Sequence, residues 1–92
     1  MLDNRIYTFL AVCQEMNFTR AAKKLHITQP AVSQHIQYIE RYYGVHAFRF
    51  EGKKLSLTPE GELFYKSAEE LLAHADSVES EFLNLFINQK DS

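Results

Sequence analysis

The chain has 92 residues, with ten Lys and Arg against twelve Asp and Glu, which gives a formal net charge of -2 and an isoelectric point of about 6.0. Nucleic-acid-binding domains commonly have isoelectric points above about 9, so the total charge alone argues against that class, and a hydrophobic fraction of 46% argues against disorder. The charge is unevenly divided, however. Residues 1–58 hold eight basic and four acidic side chains (net +4), whereas residues 59–92 hold two basic and eight acidic ones (net -6). Such asymmetry between segments is itself a clue to function.

The sequence also bears on the cellular setting. A single cysteine, Cys13, rules out an intramolecular disulfide and a multi-cysteine zinc site, which fits a reducing compartment. The apolar run 6–13 weakly resembles a signal peptide, but Asp3 precedes it, Thr8 interrupts it, and apolar residues continue beyond it with helical spacing. No stretch approaches the roughly 20 apolar residues of a membrane span. We therefore expect a soluble, cytoplasmic protein with no membrane partner.

Three helices are predicted in the first half of the chain. The first covers residues 4–15, after Asp3 or Asn4 as N-cap, and the second covers residues 20–25, with Thr19 as its capping residue. The third runs from Thr28 to residue 43, since Pro30 suits a first helical turn and Gly44 suits a C-terminal end. Its apolar stripe consists of Val32, Ile36, Ile39 and Tyr43, and its polar face consists of Gln29, Pro30, Ser33, Gln34, Gln37 and Arg41. Two helices three residues apart, the second with a polar outer face, predict a helix-turn-helix.

A β-hairpin and a long helix are predicted to follow. Residues 48–50 and 55–57 alternate apolar and polar side chains around a basic, glycine-containing tip, so a hairpin over 48–57 would form a wing. Thr58 and Pro59 then open a helix over 59–87 that would be about 40 Å long at 1.5 Å per residue, and residues 88–92 are interpreted as a frayed end. Its heptad seam consists of Phe64, Ala68, Leu71, Ala75, Val78, Phe82 and Leu85.

These features resemble the N-terminal DNA-binding domain of LysR-type transcriptional regulators. The motifs that carry the resemblance are 18–22 (FTRAA), 25–33 (LHITQPAVS) and 57–61 (LTPEG), with Ile36, Glu40, Gly44 and Phe48 between them. The resemblance implies a mainly α fold with a small β-hairpin: a winged helix-turn-helix DNA-binding domain over 1–58 and a linker helix over 59–87, through which two chains pair antiparallel. It also implies that any small-molecule effector would act through a C-terminal domain absent from this chain, as in a truncated protein. No cofactor is expected.

Site residues are carried over from the resemblance position by position. It implies base contacts in the major groove from Gln29, Pro30, Ser33 and Gln34. Candidate contacts to the DNA backbone are Thr19, Arg20, Lys23 or Lys24, Thr28, Arg49, Lys53 and Lys54. Two positions depart from the family: Gln34 and Phe50 both stand where relatives often carry Arg, and the second change weakens the expected grip of the wing on phosphate. The dimer interface is expected at Leu71, Ala75, Val78, Phe82 and Leu85.

The sequence also allows other interpretations. A winged-helix protein-interaction module without specific DNA binding is the main alternative, and the lysines could be simply solvated. An enzyme is not expected, because Ser33 and His35 are two residues apart on a helix and point apart, so they cannot form a nucleophile–base pair. The four histidines lack metal-ligand spacing, so no metal site is expected. The leading prediction is sequence-specific binding of double-stranded DNA by a homodimer on an inverted repeat.

Overall fold

The computed structural model describes the backbone of residues 4–90 and the side chains of that range except 77 and 79–90. The described residues form α1 (Asn4–Glu15), α2 (Phe18–Leu25), α3 (Gln29–Tyr43), β1 (Phe48–Glu51), β2 (Lys54–Leu57) and α4 (Pro59–Lys90). The predicted winged helix-turn-helix with a long last helix is therefore confirmed. No helix among the described residues is both long and apolar enough to cross a membrane.

The ends of α3 and the start of α4 follow local sequence signals. Thr28 accepts a hydrogen bond from the Ala31 amide at 3.2 Å, and Gly44 ends α3 in the left-handed conformation with φ of 68°. At α4, the Thr58 hydroxyl accepts from the Gly61 amide at 3.0 Å and donates to the His46 carbonyl. Thr58 thus both caps α4 and ties it to the segment that leads into β1.

The capping prediction at α2 is wrong. Asn17, in an extended conformation, is the N-cap, and its side-chain oxygen accepts a hydrogen bond from the Arg20 amide at 2.8 Å. Thr19 lies inside the first turn instead. Asn17 precedes the helix by one residue and reaches the amide three positions on, which is the spacing that capping requires. At the other end, His26 adopts the left-handed conformation with φ of 58° and turns the chain toward α3.

The core lies between α1, α2, α3, the hairpin and the first turns of α4. Phe9 is fully buried at its centre, with its ring centroid 5.4 Å from that of Phe48 and 4.7 Å from that of Phe64. The predicted stripe of α3 is buried at three positions, but Tyr43 is 45% exposed, although its ring contacts those of Tyr42 and Phe64. The largest buried hydrophobic side chains are Ile6, Phe9, Leu10, Val12, Val32, Ile36, Ile39, Phe48 and Leu55.

The sheet is a two-stranded antiparallel hairpin. Phe48 pairs with Leu57 and Phe50 pairs with Leu55, and Gly52 at the tip has φ of 63°, a conformation that glycine adopts without steric cost. The α4 helix continues to Lys90, three residues beyond its predicted end at 87, so residues 88–90 are helical rather than frayed. Residues 91–92 lie outside the described residues.

Candidate nucleic-acid interface

The first turns of α3 present a polar surface on a rigid helix. The Thr28 cap and Pro30, whose missing N–H needs no partner there, stabilise this turn. Gln29, Pro30 and Gln34 are exposed, and Ser33 is partly buried. The Gln29 side-chain amide donates a hydrogen bond to the Ser33 hydroxyl at 3.0 Å. Two of the four predicted base-contacting residues, Gln29 and Ser33, are therefore held together on one face of the helix.

A side-chain hydrogen bond joins α3 to α1. The Thr8 hydroxyl lies 2.8 Å from His35 Nδ1, and Thr8 itself is only 2% exposed. This partly buried contact links α3 to α1, and the Thr8 hydroxyl also donates to the Asn4 carbonyl at 3.3 Å. Sequence reasoning missed it, since residues 27 positions apart on different helices carry no local signal.

The wing is attached to α3 through Glu40. One oxygen of its carboxylate accepts a hydrogen bond from the Ala47 amide at 2.7 Å, just before β1 begins. His46 Nδ1 is 3.9 Å from the same oxygen. This contact fixes where the hairpin starts relative to the polar face of α3.

The predicted backbone-contacting residues are all exposed, but they are not equivalent. Arg49 is paired with Glu51 on the same strand, at 3.2 Å between Nη2 and Oε1. Lys24 donates to the Gln14 side chain at 2.6 Å, whereas Lys53 lines a cleft between the wing and the starts of α2 and α3. The exposed members of the set are Thr19, Arg20, Lys23, Lys24, Thr28, Arg49, Lys53 and Lys54.

Two clefts bring the candidate residues together. The cleft that contains Lys53 is also lined by Thr19 and Gln29, which joins two backbone candidates to one base-reading candidate. A second cleft, between the wing and the middle of α3, is lined by Ser33 and Gln37. Gln34 lies on the other side of α3, in a polar recess with Arg5, Gln37, Tyr38 and Arg41. The Arg5 guanidinium lies 3.8 Å from the centroid of the Tyr38 ring.

Groups with other chemistry lie away from this surface. Burial raises the pKa of Cys13 from its ordinary value to about 12, with a smaller contribution from the negative charge of Glu69, so the thiol stays protonated at neutral pH. Across the described part of the chain, no three His, Cys, Asp or Glu side chains are grouped as a metal site would require. The polar face of α3 and the basic wing remain the surface with an evident binding chemistry.

The α2–turn–α3 unit with the hairpin behind it defines a winged helix-turn-helix protein. A sequence-family model described as "Bacterial regulatory helix-turn-helix protein, lysR family" matches residues 4–62. The chain belongs to this family, as the motif resemblance predicted.

Curated relatives and solved structures agree with that assignment. The chain is 45% identical over 69 residues to the HTH-type transcriptional regulator BudR of Klebsiella aerogenes, covering 75% of this chain and 48% of BudR. It is 40% identical over 72 residues to BenM of Acinetobacter baylyi, covering 78% of this chain and 24% of BenM. The chain thus spans between about a quarter and a half of these relatives.

Three solved structures are similar to the fold. A LysR-family transcriptional regulator from Eggerthella lenta is 56% identical with a TM-score of 0.72, covering 75% of this chain and 99% of that one. The BenM_DBD/catB site 1 DNA complex is 36% identical with a TM-score of 0.83, covering 88% of this chain and 87% of that one. The CbnR_DBD–DNA complex is 27% identical with a TM-score of 0.85, covering 92% and 98%.

Proposed function

We propose that this chain binds double-stranded DNA sequence-specifically as part of a transcriptional regulator, with the first turns of α3 in the major groove and the wing on the phosphate backbone. The observation that carries the proposal is the capped, exposed polar face of α3 beside a basic wing. The similar BenM and CbnR domains are both in complexes with DNA. The relatives are named as transcriptional regulators, which supports a regulatory rather than an enzymatic role.

The side chains on α3 favour A·T base pairs. The side-chain oxygen of Gln can accept a hydrogen bond from adenine N6–H, and its NH2 group can donate one to adenine N7, so one Gln can make both bonds to adenine. The Pro30 ring suits a thymine methyl group, and the sequence has no Lys or Arg between Thr28 and Arg41 that would read guanine. Each bidentate contact would contribute about 1–3 kcal/mol of discrimination.

Backbone contacts would come from the N-terminus of α2 and from the wing. The first amides of α2 have no carbonyl partner within the helix. Its positive N-terminal end, together with Thr19 and Arg20, therefore favours a phosphate. Lys53 and Lys54 at the wing tip add two exposed positive charges. We expect the binding constant to fall steeply between about 50 and 200 mM salt, since each phosphate contact releases counterions.

A selection from randomised duplexes, followed by salt titrations, tests the DNA-binding proposal. Gln29→Ala should relax preference at one base pair in each half-site, and Lys53→Gln should lower the salt slope by about 0.9 without changing base preference. Lys66→Gln, which removes an exposed lysine on α4, is the matched control and should leave both quantities unchanged. Failure to bind any duplex at low salt would favour the protein-interaction module instead.

We infer that α4 pairs with the α4 of a second copy, in a homodimer that binds an inverted repeat with half-sites about one helical turn apart. The exposed fractions of two seam residues support this, since Leu71 is 43% and Val78 is 51% exposed, and Ala75 is exposed as well. Exposed apolar side chains in one line commonly mark an interface. The side chains of Phe82 and Leu85, the other predicted interface residues, lie outside the described residues.

Sedimentation equilibrium at micromolar concentration tests the dimer. Leu71→Asp should shift the chain toward monomer, because a carboxylate in an apolar helix seam is costly to bury. Leu63→Asp is the matched control: Leu63 is 69% exposed on the same helix but outside the seam, and its replacement should leave self-association unchanged. A wild-type chain that is monomeric at high micromolar concentration would exclude the proposed interface.

A further inference from the structure

Phe50 lies on the apolar face of the wing, but most of its side chain is exposed. It pairs with Leu55, so its ring lies on the same face of the hairpin as Phe48 and Leu57 rather than on the face of Arg49 and Glu51. Leu55 and Phe48 on that face are each 9% exposed, but Phe50 is 62% exposed. The apolar face of the hairpin therefore extends one side chain beyond the edge of the core.

The ring is nevertheless held in one place. Its centroid is 6.4 Å from that of Phe18 with the planes at 76°, and Phe18 is in turn 6.0 Å from Phe48 at 77°. These edge-to-face contacts are favourable geometries for aromatic pairs. Phe50 is thus an extension of the aromatic core that points out of it.

Phe50 lies between the two sets of candidate DNA contacts. It lines the cleft that contains Thr19, Gln29 and Lys53, and it also lines the neighbouring cleft that contains Ser33 and Gln37. Gln29 and Ser33, on either side of it, are joined by a hydrogen bond of 3.0 Å. A duplex seated on α3 would therefore meet this ring beside the side chains proposed to read its bases.

We propose that Phe50 is a specificity-determining residue that contacts the 5-methyl group of a thymine next to the base read by Gln29. The inference rests on the proposed DNA binding of this surface. The thymine methyl is the one apolar group that a base edge presents in the major groove, and aromatic side chains such as Phe contact it. An uncharged ring also contributes binding without adding to the salt dependence, unlike the lysines nearby.

Replacing thymine by deoxyuridine, one position at a time, in the preferred duplex tests the proposal. The substitution removes only the methyl group, and burial of a group of that size corresponds to about a fourfold change in affinity. The wild-type protein should lose about fourfold at one thymine in each half-site, whereas Phe50→Ala should bind the thymine and deoxyuridine duplexes equally. The salt slope of Phe50→Ala should match that of the wild type.

Tyr42→Ala provides the matched control. Tyr42 is also 62% exposed and aromatic, but it lies at the C-terminal end of α3, away from Gln29 and Ser33. It should retain the full sensitivity to deoxyuridine. Phe50→Leu keeps an apolar side chain on the wing and should retain part of that sensitivity, so that a Phe50→Ala protein with a lowered melting temperature still leaves the test decisive.

The outcomes separate this inference from the proposed function. If the wild type binds no duplex, the proposed function fails. If it binds specifically but no deoxyuridine substitution is coupled to Phe50, the thymine contact is wrong while DNA binding stands. A uniform loss of affinity for all duplexes in Phe50→Ala, without coupling, would assign the ring to the sugar–phosphate backbone and would equally overturn the thymine contact.

Discussion

Neighbouring positions of the same heptad seam on α4 have opposite environments. Ala68, in its third turn, is 3% exposed and packs into the core with Phe64, whereas Leu71, three residues later, is 43% exposed. The winged unit supplies enough surface to cover only the first turns of the helix. An unbroken sequence pattern thus serves intramolecular packing at Ala68 and leaves Leu71, Ala75 and Val78 exposed.

The charge is also unevenly divided, and its boundary lies at the start of α4. Residues 1–58 carry a net charge of +4 and residues 59–92 carry -6, so the low isoelectric point averages a basic winged unit with an acidic helix. An acidic helix is repelled by phosphate, which would favour orientations in which the basic unit faces DNA. Whole-chain charge is therefore a poor guide when two segments of one chain meet different partners.

Phe9→Ala should produce the largest difference between the two regions. The ring is fully buried and contacts the rings of both Phe48 and Phe64, so its loss leaves a cavity that costs about 3–5 kcal/mol. That is a large part of the roughly 5–15 kcal/mol that stabilises a typical domain. Thermal unfolding followed by circular dichroism should show a greatly lowered melting temperature. Leu71→Ala, in the exposed part of the same seam, is the control. At low protein concentration it should unfold almost like the wild type. Equal losses of stability in both variants would contradict the division into a packed and an uncovered region.

Gly61→Ala tests the joint between the two regions. In the middle of a helix this change normally stabilises by up to about 1 kcal/mol. Here a Cβ atom would overlap the Ala47 carbonyl oxygen and lie 3.0 Å from Leu57 Cδ2, so α4 would have to move away from the wing. We expect the free energy of unfolding to fall by about 1–3 kcal/mol, the usual cost of overpacking.

Denaturant unfolding measures this loss, with Ser67→Ala, an exposed site on the same helix, as the control. A stabilised Gly61→Ala protein would show that α4 is not held closely against the wing.

The sequence predicted those features that depend on neighbouring residues. Thr28, Gly44 and Thr58 are capping signals within a few positions of the amides or turns that they serve, and all three act as predicted. The hairpin followed from alternation of apolar and polar side chains around a glycine. Local chemistry was sufficient in each case because the partner atoms are fixed by the chain itself.

Features that depend on what packs nearby were not predictable in this way. Tyr43 continues the apolar stripe of α3, but whether it is covered depends on where α4 leaves the core. The hydrogen bond between Thr8 and His35 requires two helices to meet, and the exposure of Phe50 depends on the edge of the aromatic core. For the candidate interface, residue types could therefore be predicted, whereas the position of Phe50 beside the proposed base-contacting residues Gln29 and Ser33 could not.

Asn17→Ala and Thr19→Ala separate capping from the proposed phosphate contact. Asn17 caps α2, so its replacement should cost about 1 kcal/mol of stability. Thr19 is exposed within the first turn, and its replacement should change stability little while weakening DNA binding. Denaturant unfolding and salt titrations of DNA binding, made on both variants, provide the comparison. A larger loss of stability for Thr19→Ala than for Asn17→Ala would restore Thr19 as the cap.

The smallest effect at neutral pH is expected at Cys13, which reports on the contact between α1 and the first turns of α4. Burial, with a smaller contribution from Glu69, raises the pKa of the thiol to about 12 in the folded chain, against an ordinary value of 9.0. Below pH 9 the thiol is protonated in both folded and unfolded chains and contributes nothing to the pH dependence of stability. Above pH 9 the unfolded chain loses the proton first, so the free energy of unfolding should decrease as the pH rises toward 12.

Cys13→Ala should remove that part of the alkaline loss. Comparing denaturant unfolding of wild type and variant at pH 7 and pH 10 isolates the thiol, and Tyr65→Phe provides a second reference, because burial also raises the pKa of Tyr65. Alkylation by iodoacetamide at pH 8 should be slow in the folded chain and fast in denaturant, since the thiolate is the reactive form. Rapid alkylation without loss of helicity would mean that the first turns of α4 open from α1, and the boundary between the packed and uncovered parts of the helix would then lie before Ala68.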